Sequence, residues 1–234
     1  VQQEIVRFDR VSLNYTEGKN ILSDISFSLL KGSFHYLMGA SGAGKSSLIK
    51  LIYLGFRGYR GAIRVFGRDL INVRGDDIAT YRRQIGVVFQ DFCLLEHLSV
   101  LDNIALPLRL KGESWSEARA KGLELLNWIG LKGLGDASPQ NLSGGQKQRL
   151  AIGRAVINRP SLVIADEPTG NVDDENAVKL LYLFTELNKR GTTVIFATHN
   201  RDLVLEFPYP ALYLEQGQLH IIFPYNDRKT GSNG

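Results

Sequence analysis

Between residues 4 and 36 the apolar and polar positions run as strand material broken by turns: "EIVRFDRVSLNY", the turn-like "TEGKN", then "ISFSLLKGSFHYLM". The period then changes. In "SSLIKLIYLGF" apolar residues recur at i, i+3 and i+4, which predicts a helix. Residues 60 to 90 hold two further short strands, "GAIRVFG" and "IGVVFQ", with the polar helical stretch "RGDDIATYRRQ" between them. From 98 to 135 the pattern is helical in "SVLDNIALPLRLKG" and "SWSEARAKGLELLNWIGL", and Ser114 three residues before Glu117 predicts a capping box. The last third alternates: helix "GQKQRLAIGRAVINR", strand "SLVIADE", helix "DDENAVKLLYLFTELNKR", strand "TTVIFATH".

Strand and helix in alternation predict an α/β fold with a mainly parallel sheet and helices on both faces, interrupted by a helical block. Hydrophobic residues at 44% and charged residues at 22% of 234 fit an ordinary globular chain. The net charge of +4 comes from 28 basic against 24 acidic residues without a block of like charge, so charge selects no partner. Cys93 is the single cysteine, which excludes an internal disulfide and a cysteine metal cluster; it reads as a small apolar residue within "FCLL". The opening "VQQEIVRFDR" lacks the apolar stretch of a signal peptide, and runs such as "VIFA" are too short for a bilayer span. Membrane attachment is therefore expected only through another chain. The closing "NDRKTGSNG" reads as a polar, frayed tail.

The chemistry starts at Gly39-Ala40-Ser41-Gly42-Ala43-Gly44-Lys45-Ser46-Ser47, which fits G-x-x-x-x-G-K-[S/T] between a strand and a helix. Glycines let successive amides face inward, and the helix adds the positive end of its dipole, so the segment suits a polyphosphate. Lys45 is placed to reach the outer phosphates, and Ser46 to offer its hydroxyl to Mg²⁺. A chance glycine-rich turn is the plain alternative. In "LVIADE" four apolar residues lead to Asp166 and Glu167 at the end of a buried strand. Asp166 suits water-mediated Mg²⁺ binding and Glu167 suits polarisation of an attacking water; an acidic strand-to-loop junction before Pro168 is the alternative. Ser143-Gly144-Gly145 opens a helix and makes a second anion-ready N-terminus, although such an entry is common in helices at large.

Leu142-Ser143-Gly144-Gly145-Gln146 upstream of Asp166-Glu167 resembles the signature of the ATP-binding cassette (ABC) ATPases, and the resemblance runs over residues 4 to 222. It implies a P-loop fold of ABC type: a mainly parallel RecA-like sheet, an N-terminal antiparallel β subdomain and an inserted α-helical subdomain. The expected layout is one domain over 1–225, with core and β subdomain in 1–90, helical subdomain in 91–159, core again in 160–225, and a tail in 226–234. The resemblance also implies roles. Tyr15 stacks on adenine; Gln90 touches Mg²⁺ and the water and senses the helical block; Asp173 in "GNVDD" belongs to the D-loop; His199 in "ATHN" positions the γ-phosphate. His35, His97 and His220 read as structural. Val172 and Asn200 depart mildly from the usual wording.

By the same resemblance, two chains pair head to tail on ATP, and Ser143, Gly144, Gly145 and Gln146 of one close on the nucleotide of the other. The expected partner is an integral membrane protein, seated in a groove formed by Phe92, Leu94, Leu95 and the helical block. This puts the chain in the cytoplasm, peripheral on the inner face of a bacterial membrane. "ADEPTGNVDDENA", "DNIALPL" and "RRQIGVVFQDFCLL" point to the cell-division branch of the family, with lipoprotein-releasing and macrolide-export branches as alternatives. An ATP-gated binding module with incidental hydrolysis stays open beside the ATPase. No nucleic acid is expected, because tandem cassettes, zinc modules and coiled-coil insertions are not visible.

Overall fold

The fold is described from a computed structural model over residues 3–15, 19–170 and 172–223. The side chains of Tyr15 and Lys19, part of the turn expected in "TEGKN", Asn171 of "GNVDD" and the tail at 226–234 lie outside that description.

Strands β1 (Glu4–Tyr15) and β2 (Lys19–Leu30) form a long antiparallel pair, and β3 (Phe34–Met38) follows. Helix α1 (Lys45–Ile52), strands β4 (Tyr59–Val65) and β5 (Arg68–Asp69), helix α2 (Asp77–Arg82) and strand β6 (Ile85–Val88) come next. The helical block holds α3 (Val100–Leu110), α4 (Trp115–Trp128) and α5 (Gly144–Val156). The chain then runs through β7 (Leu162–Asp166), α6 (Asp174–Lys189), β8 (Thr193–Ala197), α7 (Arg201–Glu206), β9 (Ala211–Glu215) and β10 (Gln218–Ile222).

Two sheets result, an antiparallel one in the order β2-β1-β4-β5 and a six-stranded one in the order β10-β9-β3-β8-β7-β6. The second is parallel except for β10, so the expected fold class holds. Successive side chains of its central strands face opposite ways, and the sheet therefore separates two cores. Leu37, Leu162, Ile164, Ile195 and Ala197 enter one core with Leu48, Ile49, Leu51 and Ile52 of α1 and the inner face of the antiparallel sheet. Phe34, Tyr36, Val163, Ala165, Val194 and Phe196 enter the other, with α5 and α6. Helices lie on both faces because each strand is apolar on both.

A third core belongs to the helical block: Val100, Leu101 and Ile104 of α3 pack with Leu126 and with Leu150 of α5. Helix α5 thus serves two cores, with Ala151, Ile152 and Val156 turned to the sheet. Ser114 and Glu117 make the expected capping box at the start of α4.

The sequence reading placed no element after residue 199. The structure adds α7 and the β9–β10 hairpin, which extend the sheet beyond β3. Gln216 and Gly217 turn this hairpin with φ of 48° and 79°, the two left-handed residues of a tight turn. Asn200, one of the departures from family wording, is the N-cap of α7 and accepts from Asp202 N and Leu203 N. Among the described residues no helix is long and apolar enough to cross a membrane.

Between β6 and α3 the chain has no regular structure, and a buried side chain shapes it. Asn103 of α3, 0% exposed, accepts Leu95 N–H at 2.9 Å and donates to Leu95 O at 2.9 Å, Ser99 O at 3.0 Å and Leu98 O at 3.3 Å. Asn103→Ala removes the side-chain partner of the part-buried Leu95 N–H and Leu98 O, whereas Leu95 O and Ser99 O keep backbone donors, and we expect a loss of about 2–4 kcal/mol in chemical unfolding. A loss near zero would show that the segment repacks around water.

Candidate functional site

The functional side chains gather where β3, β7 and β8 end. In open parallel sheets this carboxyl edge is where ligands collect. Residues 39–44 leave β3 as a loop whose backbone only glycine tolerates at two points. Gly39 has φ of 146°, and a Cβ there would lie 2.3 Å from Leu214 O. Gly44, at φ of 105°, caps α1 without a side-chain acceptor, so the amides of Lys45 and Ser46 head the helix without a capping oxygen from that residue. That arrangement suits an anion. Ala40, Ser41, Gly42 and Ala43 also line a crevice of about 410 Å³ that reaches Asn20 at the start of β2 and the β9–β10 turn.

Lys45 is the centre of the site. Only 7% exposed, it donates from Nζ to Gly39 O at 2.9 Å and Ala40 O at 3.3 Å, and its Nζ stands 3.3 Å from Glu167 Oε1. Glu167 follows β7 with φ of 49°, a left-handed setting for a residue with a Cβ, while its N–H still pairs with Ala197 O of β8. Such strain persists where surrounding contacts over-determine the backbone. Here it turns the carboxylate back to Lys45 on one oxygen and to His199 Nδ1, at 2.9 Å, on the other. Glu167 is 13% exposed and His199 70%, so the carboxylate is shielded and the imidazole faces outward. The sequence placed both at this edge but gave no sign of their direct contact.

Beside them sits Asp166, whose Oδ1 is buried without a hydrogen-bond partner. Burial pushes its carboxyl pKa up, opposed by a hydrogen bond with Ser46 and by the Lys45 charge. An unpaired buried acceptor next to a hydroxyl fits a small hard cation that also takes phosphate oxygens. Among the described residues no group of three or more His, Cys, Asp or Glu could cage a metal by itself. Gln90 follows β6 by two residues and is exposed. Tyr15 ends β1, with its side chain outside the described residues.

The second anion-ready end opens α5. Ser143 accepts Gln146 N–H at 3.3 Å, and Gln146 Oε1 accepts Ser143 N–H at 2.9 Å, a reciprocal cap. In the sequence Gln146 reads only as a binding residue, yet the same spacing that predicts the Ser114–Glu117 box, with Gln in place of Glu, marks this cap too. Ser143 and Gly144 are exposed. A Cβ at Gly145 would lie 3.7 Å from Asn176, whose N–H is capped by Asp173 Oδ1. The starts of α5 and α6 therefore stand side by side.

One expectation needs correction: Cys93, with φ of 49°, is exposed rather than packed among its apolar neighbours. Phe92 and Leu94 are half-buried against the sheet core, and Leu94 also touches the helical core, so only part of the run "FCLL" is open to a groove.

The family description "ABC transporter" matches residues 22–170. The chain is 40% identical over 213 residues to the cell division ATP-binding protein FtsE of Bacillus subtilis (strain 168), covering 91% of this chain and 93% of that protein. It is 41% identical over 216 residues to FtsE of Escherichia coli (strain K12), covering 92% and 97%. Among solved structures it is similar to a dimeric post-hydrolysis state of the ATP-binding cassette MJ0796 bound to ADP and Pi, with a TM-score of 0.86, 31% identity and coverage of 94% and 99%. Sequence and fold agree along nearly the whole chain, and it belongs to the ABC transporter family as one of its ATPases.

Proposed function

We propose that this chain is the ATP-hydrolysing subunit of a bacterial cell-division complex, driving an FtsX-like integral membrane protein from the cytoplasmic face of the membrane. The likeness to FtsE proteins at 40–41% identity over nine-tenths of the chain carries this reading. In it, amides of residues 39–47 bind the triphosphate, Lys45 neutralises its outer oxygens, and Tyr15 stacks on the base. Ser46, Asp166 and Gln90 would hold Mg²⁺, which supplies charge neutralisation at the phosphate oxygens when bound.

Glu167 is the general base, accepting the proton of the attacking water at a carboxylate oxygen. His199 holds that carboxylate and faces the γ-phosphate. The exposed Ser143 and Gly144 with the half-buried Gly145, set by Gln146, complete the site of a second copy, and Asp173 fixes the helix start beside them. Two half-sites on one chain account for a dimer that closes on ATP and opens after hydrolysis, so that the energy appears as a change of shape. The single-domain layout over 1–225 belongs to this reading, as does docking of the partner at the Q-loop and helical subdomain.

Asp166→Asn tests the metal assignment apart from catalysis. Removing a desolvated charge is expected to raise stability without nucleotide by about 1 kcal/mol, roughly 2–4 °C in Tm. It should also abolish the extra thermal shift that Mg²⁺ adds to ATP. A retained Mg²⁺-dependent shift would move the metal away from Asp166.

The membrane role is tested by purifying the chain from native membrane extract with ATP. Recovery of one FtsX-like integral protein in proportion to the chain is expected. Recovery of a lipoprotein-releasing or macrolide-export type partner, or of no integral protein, overturns the cell-division assignment.

A further inference from the structure

The stretch after Gln90 carries two consecutive residues with positive φ, Phe92 at 59° and Cys93 at 49°, and neither is glycine. Side chains with a Cβ disfavour that region; inside the loop Phe92 N–H donates to Phe89 O and Cys93 N–H to Asp91 O, and a further contact holds the two carbonyls from outside. That outside contact is Arg154 of α5. Its guanidinium donates from Nη2 to Phe92 O at 2.9 Å and from Nη1 to Cys93 O at 2.7 Å. One planar fork thus grips two successive carbonyls, a geometry that the single ammonium of lysine does not reproduce.

Arg154 is half-buried, and burial lowers its pKa from the ordinary arginine value. A desolvated cation on neutral carbonyls is a poor way to gain stability, since an apolar side chain packs there more favourably. Its use is positional. The opposite end of α5, eleven residues away and about 16 Å along the axis, carries Ser143. Near Arg154 the helix presses on β6 so closely that a Cβ at Gly86 would lie 2.5 Å from Ala155 O. Asn103 fixes the next turn of the same loop.

We infer that Arg154 is a positioning residue that ties the segment after Gln90 to the helix bearing Ser143, so that nucleotide-driven movement of one is passed to the other. This rests on the roles proposed above for Gln90 and Ser143. Arg154 bonds to the loop and not to residues 39–46, so its loss spares ATP binding and removes the transmission.

Cys93 is the only cysteine in the sequence and is exposed, which makes its alkylation rate a direct reporter of the loop. The full chain with Glu167→Gln, which holds ATP unhydrolysed, is treated with iodoacetamide with and without Mg-ATP, carrying Arg154, Arg154→Lys or Arg154→Met. With Arg154 the nucleotide should change the rate at least about threefold. In both variants the ratio should fall towards one, while the Kd for Mg-ATP stays within about twofold. Arg154→Lys keeps the charge and most of the stem, so it decides the matter if Arg154→Met does not fold. An equal ratio in Arg154→Lys and the parent overturns the inference, as does a parent that binds Mg-ATP without any change at Cys93. A parent that fails to bind Mg-ATP overturns the nucleotide-site reading and this inference with it.

Discussion

Glu167→Gln is expected to lower ATP turnover by about 10²–10⁴-fold, the range supplied by a positioned general base, while ATP affinity changes little. The amide keeps the size of the carboxylate and can still reach Lys45 and His199, which flank it at 3.3 and 2.9 Å. What it loses is the capacity to take a proton. With hydrolysis blocked and binding intact, the closed dimer should accumulate in Mg-ATP and be seen as a doubled mass by light scattering after gel filtration. Unchanged turnover removes Glu167 from its role. Lost turnover together with lost ATP binding would mean instead that the substitution had disturbed Lys45, and the double contact of Glu167 makes that a concrete alternative.

Lys45→Ala should abolish measurable Mg-ATP binding, a loss of at least about 100-fold, because Lys45 brings a full positive charge to the head of α1 beside the glycine loop. It should also destabilise the protein without nucleotide. Glu167 is 13% exposed, and without Lys45 its Oε1 becomes a shielded charge with no cation beside it. Leaving one member of such a pair alone costs about 2–4 kcal/mol. The two effects can be separated. In Lys45→Ala with Glu167→Gln the orphaned charge is gone, so stability should return by most of that amount while binding remains lost. Were the double variant no more stable than Lys45→Ala, the ion pair would have little structural weight. Were Lys45→Ala to bind Mg-ATP as the parent does, the phosphate cradle at residues 39–47 would be misassigned.

Much of this site was legible before any coordinates. The glycine loop, Asp166 and Glu167, the signature at 142–146 and His199 each depend on local residue order, and local order fixes where a strand ends or a helix begins. The elements were legible for the same reason wherever period and caps were strong, as in α4 with its Ser114–Glu117 box. Beyond residue 199 the chain is less legible, because α7 is six residues long and the β9–β10 hairpin is carried by sheet neighbours more than by its own pattern.

The sequence alone determined the inventory: a glycine loop between strand and helix, a carboxylate pair, a second helix entry fit for an anion, and strands apolar on both faces that require helices on either side. Tertiary structure decided who meets whom. The contact of Glu167 with both Lys45 and His199 joins residues 122 and 32 positions apart, through β3, β8 and β7, which come to lie side by side in that order only in the folded sheet. The Arg154 fork on Phe92 and Cys93 spans about sixty residues and exists because α5 lies on β6. Spacing along a chain encodes period and capping. Pairing across a sheet and the direction of a strained carboxylate arise only when the cores close and each backbone is held by contacts far away in sequence.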